Sequence, residues 1–174
     1  RSSPKKDVFW VAARDTNSTY KLNATGNITQ NISVAGIGIN RLKDVDTIDG
    51  SRLWVLSSQP AMIYEIDNNS VVYSTVDIGR EGLTTAENFA LILNRSVIKG
   101  FAIIYTSPAV ISITSKDGVE LKRINLTDLG QSNIGVIDTF DNETFWMAHA
   151  TIARLWNITN DDIPPTVTGP RINA

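Results

Sequence analysis

The chain contains no cysteine and a single histidine, His149, among its 174 residues. Without cysteine there are no disulfides, no thiolate metal sites and no thiol nucleophile. The small disulfide-stapled ectodomain is excluded with them, so stability has to come from packing and β-ladders. With one histidine, a zinc site would need mostly carboxylate ligands. A Ser-His-Asp triad exists only through His149, and no Gly-x-Ser-x-Gly elbow accompanies it. His149, within the run Trp146 to Ala150, is therefore read as a structural residue.

Long apolar runs are also missing. None approaches the roughly 20 residues needed to cross a bilayer as a helix, so membrane insertion is not expected. The amino-terminal Arg1-Ser2-Ser3-Pro4-Lys5-Lys6 lacks the apolar core of a signal peptide, which suggests either a processed chain or part of something longer. A strong charge of one sign is lacking too. The formal net charge is -2, and Lys5-Lys6 and Lys122-Arg123 are the adjacent basic pairs, which gives no electrostatic reason to expect nucleic acid. Gly36-Ile37-Gly38 has no following helix or lysine and does not make a phosphate loop.

The most informative feature present is a surplus of Asn-x-Ser/Thr triplets. With 15 Asn and 31 Ser plus Thr, chance supplies roughly three such triplets. Nine occur, at Asn17, Asn23, Asn27, Asn31, Asn68, Asn94, Asn125, Asn142 and Asn157, and none has proline in the middle. Four crowd into residues 17 to 33. A glycan is bulky and hydrated, so each acceptor needs an exposed turn or edge. Asn23, Asn68 and Asn157 are the best placed by sequence, each following the second strand of a hairpin 11 to 14 residues beyond a tryptophan. Sequons at this density imply an extracellular or cell-surface location and covalent N-glycans, with no other cofactor.

Apolar residues alternate with polar ones almost throughout, the pattern of strands with one buried face. Val8 to Ala12, Leu53 to Leu56, Val71 to Val76, Phe101 to Tyr105 and Phe145 to Ala148 are rich in β-branched and aromatic residues. Thr84 to Leu93 has some helical character, but its neighbours argue for a strand over Phe89 to Leu93.

Self-similarity organises these strands. Phe9-Trp10-Val11-Ala12, Leu53-Trp54-Val55-Leu56, Ala102-Ile103-Ile104-Tyr105 and Phe145-Trp146-Met147-Ala148 recur at a spacing near 44, each followed by a second strand. A further strand precedes the last three, and Asp49-Gly50 makes a hairpin dipeptide suited to positive φ. The expected fold is all-β: four repeated antiparallel units at approximately 7–38, 39–82, 83–132 and 133–174 in one repeat domain. A β-sandwich remains the alternative. Trp10, Trp54 and Trp146 are expected at matching places as buried anchors, since each can hide roughly 150–250 Å².

The second unit, from Asp49-Gly50-Ser51-Arg52-Leu53-Trp54-Val55-Leu56 through Ile63-Tyr64-Glu65-Ile66-Asp67 to Ile78-Gly79, resembles a blade of the YVTN or NHL type of β-propeller. Trp10-Val11-Ala12-Ala13 with Tyr20-Lys21-Leu22-Asn23 resembles it too. The other two units keep only the hydrophobic skeleton, and the usual Asn closing the tetrad is replaced by Ala13, Ser57, Thr106 and His149. The resemblance implies a scaffold for ligands or partners, often on cell surfaces, with some enzymes among relatives.

Candidate sites for chemistry are weak. Asp44, Asp46 and Asp49, or Asp161 and Asp162, offer the hard oxygen ligands that calcium prefers, but the run lacks the remaining EF-hand positions. The 18 acidic residues make some carboxylate pair inevitable, so a pair argues nothing for a glycosidase. The expectation is therefore not an enzyme and no metal. Instead it is a glycosylated structural or interaction module of a surface layer, filament or adhesin, which self-associates or binds an extracellular protein or glycan. The alternatives are a carbohydrate-binding propeller using Tyr73 or Tyr105, and a metal-dependent enzyme. Because the first unit starts directly at the Trp10 strand, its edge is expected to be filled by residues 166–172 or by a neighbouring chain.

Overall fold

The computed structural model describes residues 8–127, 133–139, 144–149 and 155–159. Four antiparallel meanders form, in chain order. The first contains β1 (Val8–Ala13), β2 (Ser18–Asn23) and β3 (Ile28–Ser33). The second contains β4 (Leu42–Thr47), β5 (Arg52–Ser58), β6 (Ala61–Asp67) and β7 (Val72–Asp77). The third contains β8 (Thr84–Asn94), β9 (Val97–Ser107), β10 (Ala109–Ser115) and β11 (Glu120–Asn125). The fourth contains β12 (Ile134–Thr139), β13 (Thr144–His149) and β14 (Leu155–Thr159). The ambiguous segment at Thr84 is thus a strand, and four separate sheets form instead of the two of a sandwich.

The sheets share one register. Trp10 pairs with Lys21, Trp54 with Glu65 and Trp146 with Asn157, so the tryptophans do occupy the same place in three sheets. The first strand of each complete hairpin is bulged at the same point, between Leu42 and Asp44, Ala86 and Asn88, and Ile134 and Val136. The outer strands β3, β7 and β11 are bulged opposite Lys21/Leu22, Glu65/Ile66 and Ile113/Thr114. Bulges twist an outer edge and make it a poorer template for pairing with another chain.

Local chemistry explains the connections. Gly50 at φ 78 closes the β4–β5 hairpin where the Asp49-Gly50 dipeptide predicted a left-handed residue. Gln59-Pro60 and Ser107-Pro108 form the two-residue turns between β5 and β6 and between β9 and β10. In the first sheet that turn is replaced by a 3-10 segment, Arg14–Thr16, closed by Asn17 at φ 44.

The chain divides into two compact units, Arg1–Arg80 and Glu81–Ala174. In the first unit the core lies between two sheets: Trp10, Ala12, Ile32 and Val34 meet Leu53, Val55, Tyr64 and Ile66. In the second, Ala102, Ile104 and Ile111 meet Ile137, Phe145 and Met147 in the same manner. β5 is buried along both faces, as are the middle residues of β9 and β10. That accounts for the unbroken apolar runs Leu53 to Leu56 and Phe101 to Tyr105, since a strand covered on both sides loses the alternation of a half-buried one.

The expected burial of the tryptophans needs correction. Trp54 is 8% exposed and Trp10 is half-buried, but Trp146 is 38% exposed. Sharing a register does not make the three environments equal, because the cover on that face differs from sheet to sheet. β1 is an outermost strand of its sheet among the described residues. The tail at 166–172 lies outside the described residues.

Candidate functional site

The turn joining the last two strands of a sheet recurs three times with one chemistry. It runs Asn23 to Asn27, Asp67 to Val71 and Ser115 to Val119. The first residue's N–H donates to the carbonyl of the fifth at 3.0, 3.1 and 2.8 Å. Its side chain accepts the fifth residue's N–H: Asn23 Oδ1 at 2.9 Å, Asp67 Oδ1 at 3.0 Å and Ser115 Oγ at 3.1 Å. The fourth residue is left-handed, Gly26 at φ 81, Ser70 at 62 and Gly118 at 86. Asn and Asp favour this place because a short side-chain oxygen can imitate a backbone turn. These N–H donors, that of Val71 foremost, hold the Asp67 carboxyl below the usual carboxylate range.

The sequon asparagines fall into three groups. Asn27, Asn31, Asn68, Asn94 and Asn125 are exposed. Asn23 is half-buried, its Oδ1 accepting both the N–H of Thr25 at 3.1 Å and the Thr25 hydroxyl at 2.7 Å. Asn17 is different. Its Nδ2 donates to the Asn40 carbonyl at 3.2 Å, its Oδ1 accepts the Leu42 N–H at 3.2 Å, and its partner hydroxyl residue Thr19 is fully buried. It is a bracket between the first and second sheets. Replacing Asn17 with alanine is expected to cost about 1–3 kcal/mol, because a backbone N–H loses its acceptor and a left-handed residue loses the side chain that tolerates it. Urea denaturation of the variant checks this.

Asn142 lies outside the described residues. Asn157 sits within β14, paired with Trp146. The sequence reading made it equivalent to Asn23 and Asn68, and this is corrected: its register place is that of Lys21 and Glu65, two residues before the turn. The 11-to-14-residue spacing was too coarse to separate a mid-strand position from a turn. Asn23, for its part, matches Asp67, and Asn68 follows by one.

The acidic and aromatic candidates are locally engaged. Asp44 Oδ1 accepts the Val45 N–H at 2.9 Å, and Asp46 Oδ1 accepts that of Thr47 at 2.7 Å. Asp49 Oδ1 accepts both the N–H and the hydroxyl of Ser51 at 2.8 Å, and these bonds, the backbone one foremost, lower its pKa. Among the described residues no three His, Cys, Asp or Glu side chains gather as a metal site; Asp161 and Asp162 lie outside them. His149 is half-buried at the end of β13. Tyr105, proposed as a sugar platform, is buried inside β9 and cannot serve as one. The sequence reading grouped Phe101 to Tyr105 with the alternating strands, but the run is apolar at every position and β9 is covered on both faces. Tyr73 is exposed, but the Arg52 guanidinium lies 3.1 Å from its ring centroid and its hydroxyl donates to Asp67 Oδ2 at 3.2 Å.

No protein-family model matches the sequence, and no curated protein matches it. Solved structures do. Kuenenia stuttgartiensis hydrazine synthase superposes with a TM-score of 0.62 at 11% identity, over 96% of this chain and 47% of that one. The nidogen/laminin complex gives 0.63 at 13% identity, over 95% and 62%. The β-propeller domain of Myceliophteria thermophila Cps50 (Swd1) gives 0.53 at 14%, over 87% and 46%. The fold is propeller-like. Each meander is a blade, and the chain spans about half the length of the propeller structures it resembles.

What sequence reasoning missed was the exposure of two apolar sheet faces, one in the first blade and one in the fourth. In the first blade, Phe9 and Val11 are 56% and 44% exposed, and in the fourth Trp146 stands out with Leu155. The signal was present: these residues belong to the same alternating runs as their buried counterparts.

Proposed function

We propose that this protein is a heavily N-glycosylated interaction module of an extracellular surface, acting through its faces and not through a catalytic centre. The observation that supports it best is the placement of the sequons. Asn31 lies in the outer strand β3, Asn125 ends the outer strand β11, Asn68 stands in the turn entering β7, and Asn157 belongs to β14. Each of β3, β7, β11 and β14, the last strand of its sheet among the described residues, thus carries or adjoins an acceptor. The same strands expose apolar side chains, Ile28, Val72 and Leu121 among them. Unpaired apolar edges invite strand pairing, and a hydrated glycan beside each one would block that approach.

Glycopeptide mapping of the protein from its own host tests this reading. Sugar is expected at Asn27, Asn31, Asn68, Asn94 and Asn125, and none at Asn17, whose amide is already bound to backbone. Finding all nine asparagines unmodified would remove the argument for a surface location. The module reading rests in addition on the propeller-like fold, which presents partners with broad faces. The nidogen/laminin complex is one protein assembly in which a similar structure occurs.

A further inference from the structure

The interface between the first two blades has a definite composition. Trp10 and Ala12, on the back of the first blade, pack against Leu53, Val55, Tyr64 and Ile66 on the front of the second. Residues directly opposite in an antiparallel pair share a face, and Leu53 pairs with Ile66 and Val55 with Tyr64. The same two half-interfaces occur a second time, not packed against another sheet among the described residues and partly exposed. The front of the first blade repeats the second blade's front at each position. Phe9 pairs with Leu22 and Val11 with Tyr20, so that Phe9, Val11, Tyr20 and Leu22 stand where Leu53, Val55, Tyr64 and Ile66 stand. The back of the fourth blade repeats the back of the first: Trp146 and Ala148 stand where Trp10 and Ala12 stand. Phe145 and Met147 point the other way, into the core of their own unit.

The uncovered halves are exposed as their counterparts are not. Phe9 is 56% and Val11 44% exposed, against 0% for both Leu53 and Val55; Trp146 and Leu155 are 38% and 46% exposed. Apolar surface of this kind, contiguous on a sheet face, marks an interaction site. Its chemistry specifies the partner: a Trp-x-Ala back fits a front of this composition because the chain already makes that contact once.

We propose that the front of the first blade receives the back of the fourth blade of a second copy of this chain. The contact is heterologous, so copies close into a ring or continue as a filament. The inference stands on packing alone and does not depend on whether the sequons carry sugar.

The absence of cysteine makes the test clean. Val11→Cys and Ala148→Cys are prepared as separate single variants of the 174-residue chain, mixed and mildly oxidised. Cross-linking between unlike variants is expected to outrun cross-linking of either variant with itself. Sedimentation of the unmodified chain is expected to show concentration-dependent association. Trp146→Asp is expected to weaken it on the order of tenfold or more, as for a central aromatic anchor, with the β circular-dichroism signal retained. A chain that stays monomeric at its highest soluble concentration overturns the proposal. Equal rates for like and unlike mixtures do the same. So does a Val11→Cys/Ala148→Cys double variant that closes within a single chain on dilution, because the first blade is then covered by its own chain.

Discussion

Replacing Trp54 with alanine is expected to cost about 3–5 kcal/mol, the usual penalty for removing a large buried aromatic. A typical domain has about 5–15 kcal/mol of stability in total, so the variant is expected to be close to unfolding at growth temperature. Trp54 is 8% exposed in the middle of β5, with Asp46 and Glu65 beside it on the neighbouring strands. The informative comparison is Trp146→Ala. That residue has the same register place, with Asp138 and Asn157 beside it, but is 38% exposed. Its truncation is expected to cost less than half as much when measured in dilute solution. Urea denaturation of both variants, followed by intrinsic fluorescence and circular dichroism, separates them. Equal costs would mean that the exposed face of the fourth blade is covered under the conditions of the measurement.

Introducing a methyl group at Gly100 is expected to disrupt the third blade. Gly100 lies in β9 between Ile92 of β8 and Ser115 of β10, hydrogen-bonded strands on either side. A Cβ built there collides with the Thr114 carbonyl oxygen and lies 3.2 Å from Ser115 Cα. The obstacle is backbone held in a ladder, not the tip of a flexible side chain, so relief requires β10 to shift. Overpacking of a tight site costs about 1–3 kcal/mol and at times more, and Gly100→Ala is expected at or beyond the upper end. Gly36→Ala is the control: nothing lies within 4 Å of its added methyl and its φ is not left-handed. Thermal unfolding is expected to leave the control within a degree or two of the parent and to lower the transition of Gly100→Ala by several degrees. A Gly100→Ala variant with unchanged stability would show that the ladder yields at this point.

Strand placement was legible in the sequence because a strand with one buried face must alternate. The spacing near 44 was legible because the apolar runs Phe9 to Ala12, Leu53 to Leu56, Ala102 to Tyr105 and Phe145 to Ala148 each begin a hairpin of the same order in their own sheet. The register of Trp10, Trp54 and Trp146 followed from that repeat. The sequons are a property of the sequence outright. Each of these features is local, decided by a residue and its neighbours within a few positions.

Burial was not local, and the sequence alone could not assign it. Trp54 and Trp146 sit in similar runs, yet only the first is buried. Tyr73 and Tyr105 both stand in β-strands rich in apolar residues, yet one is exposed and the other hidden. Asn17 and Asn31 share a tripeptide pattern, yet Asn17 is held by Asn40 and Leu42, more than twenty residues away. In each pair the difference comes from whether another strand or sheet lies over the residue, a contact between segments distant in sequence. A chain's own pattern determines which face of a strand is apolar; only the tertiary structure decides whether anything covers that face, because the free energy of burial belongs to the surface removed from water and not to the residue that carries it.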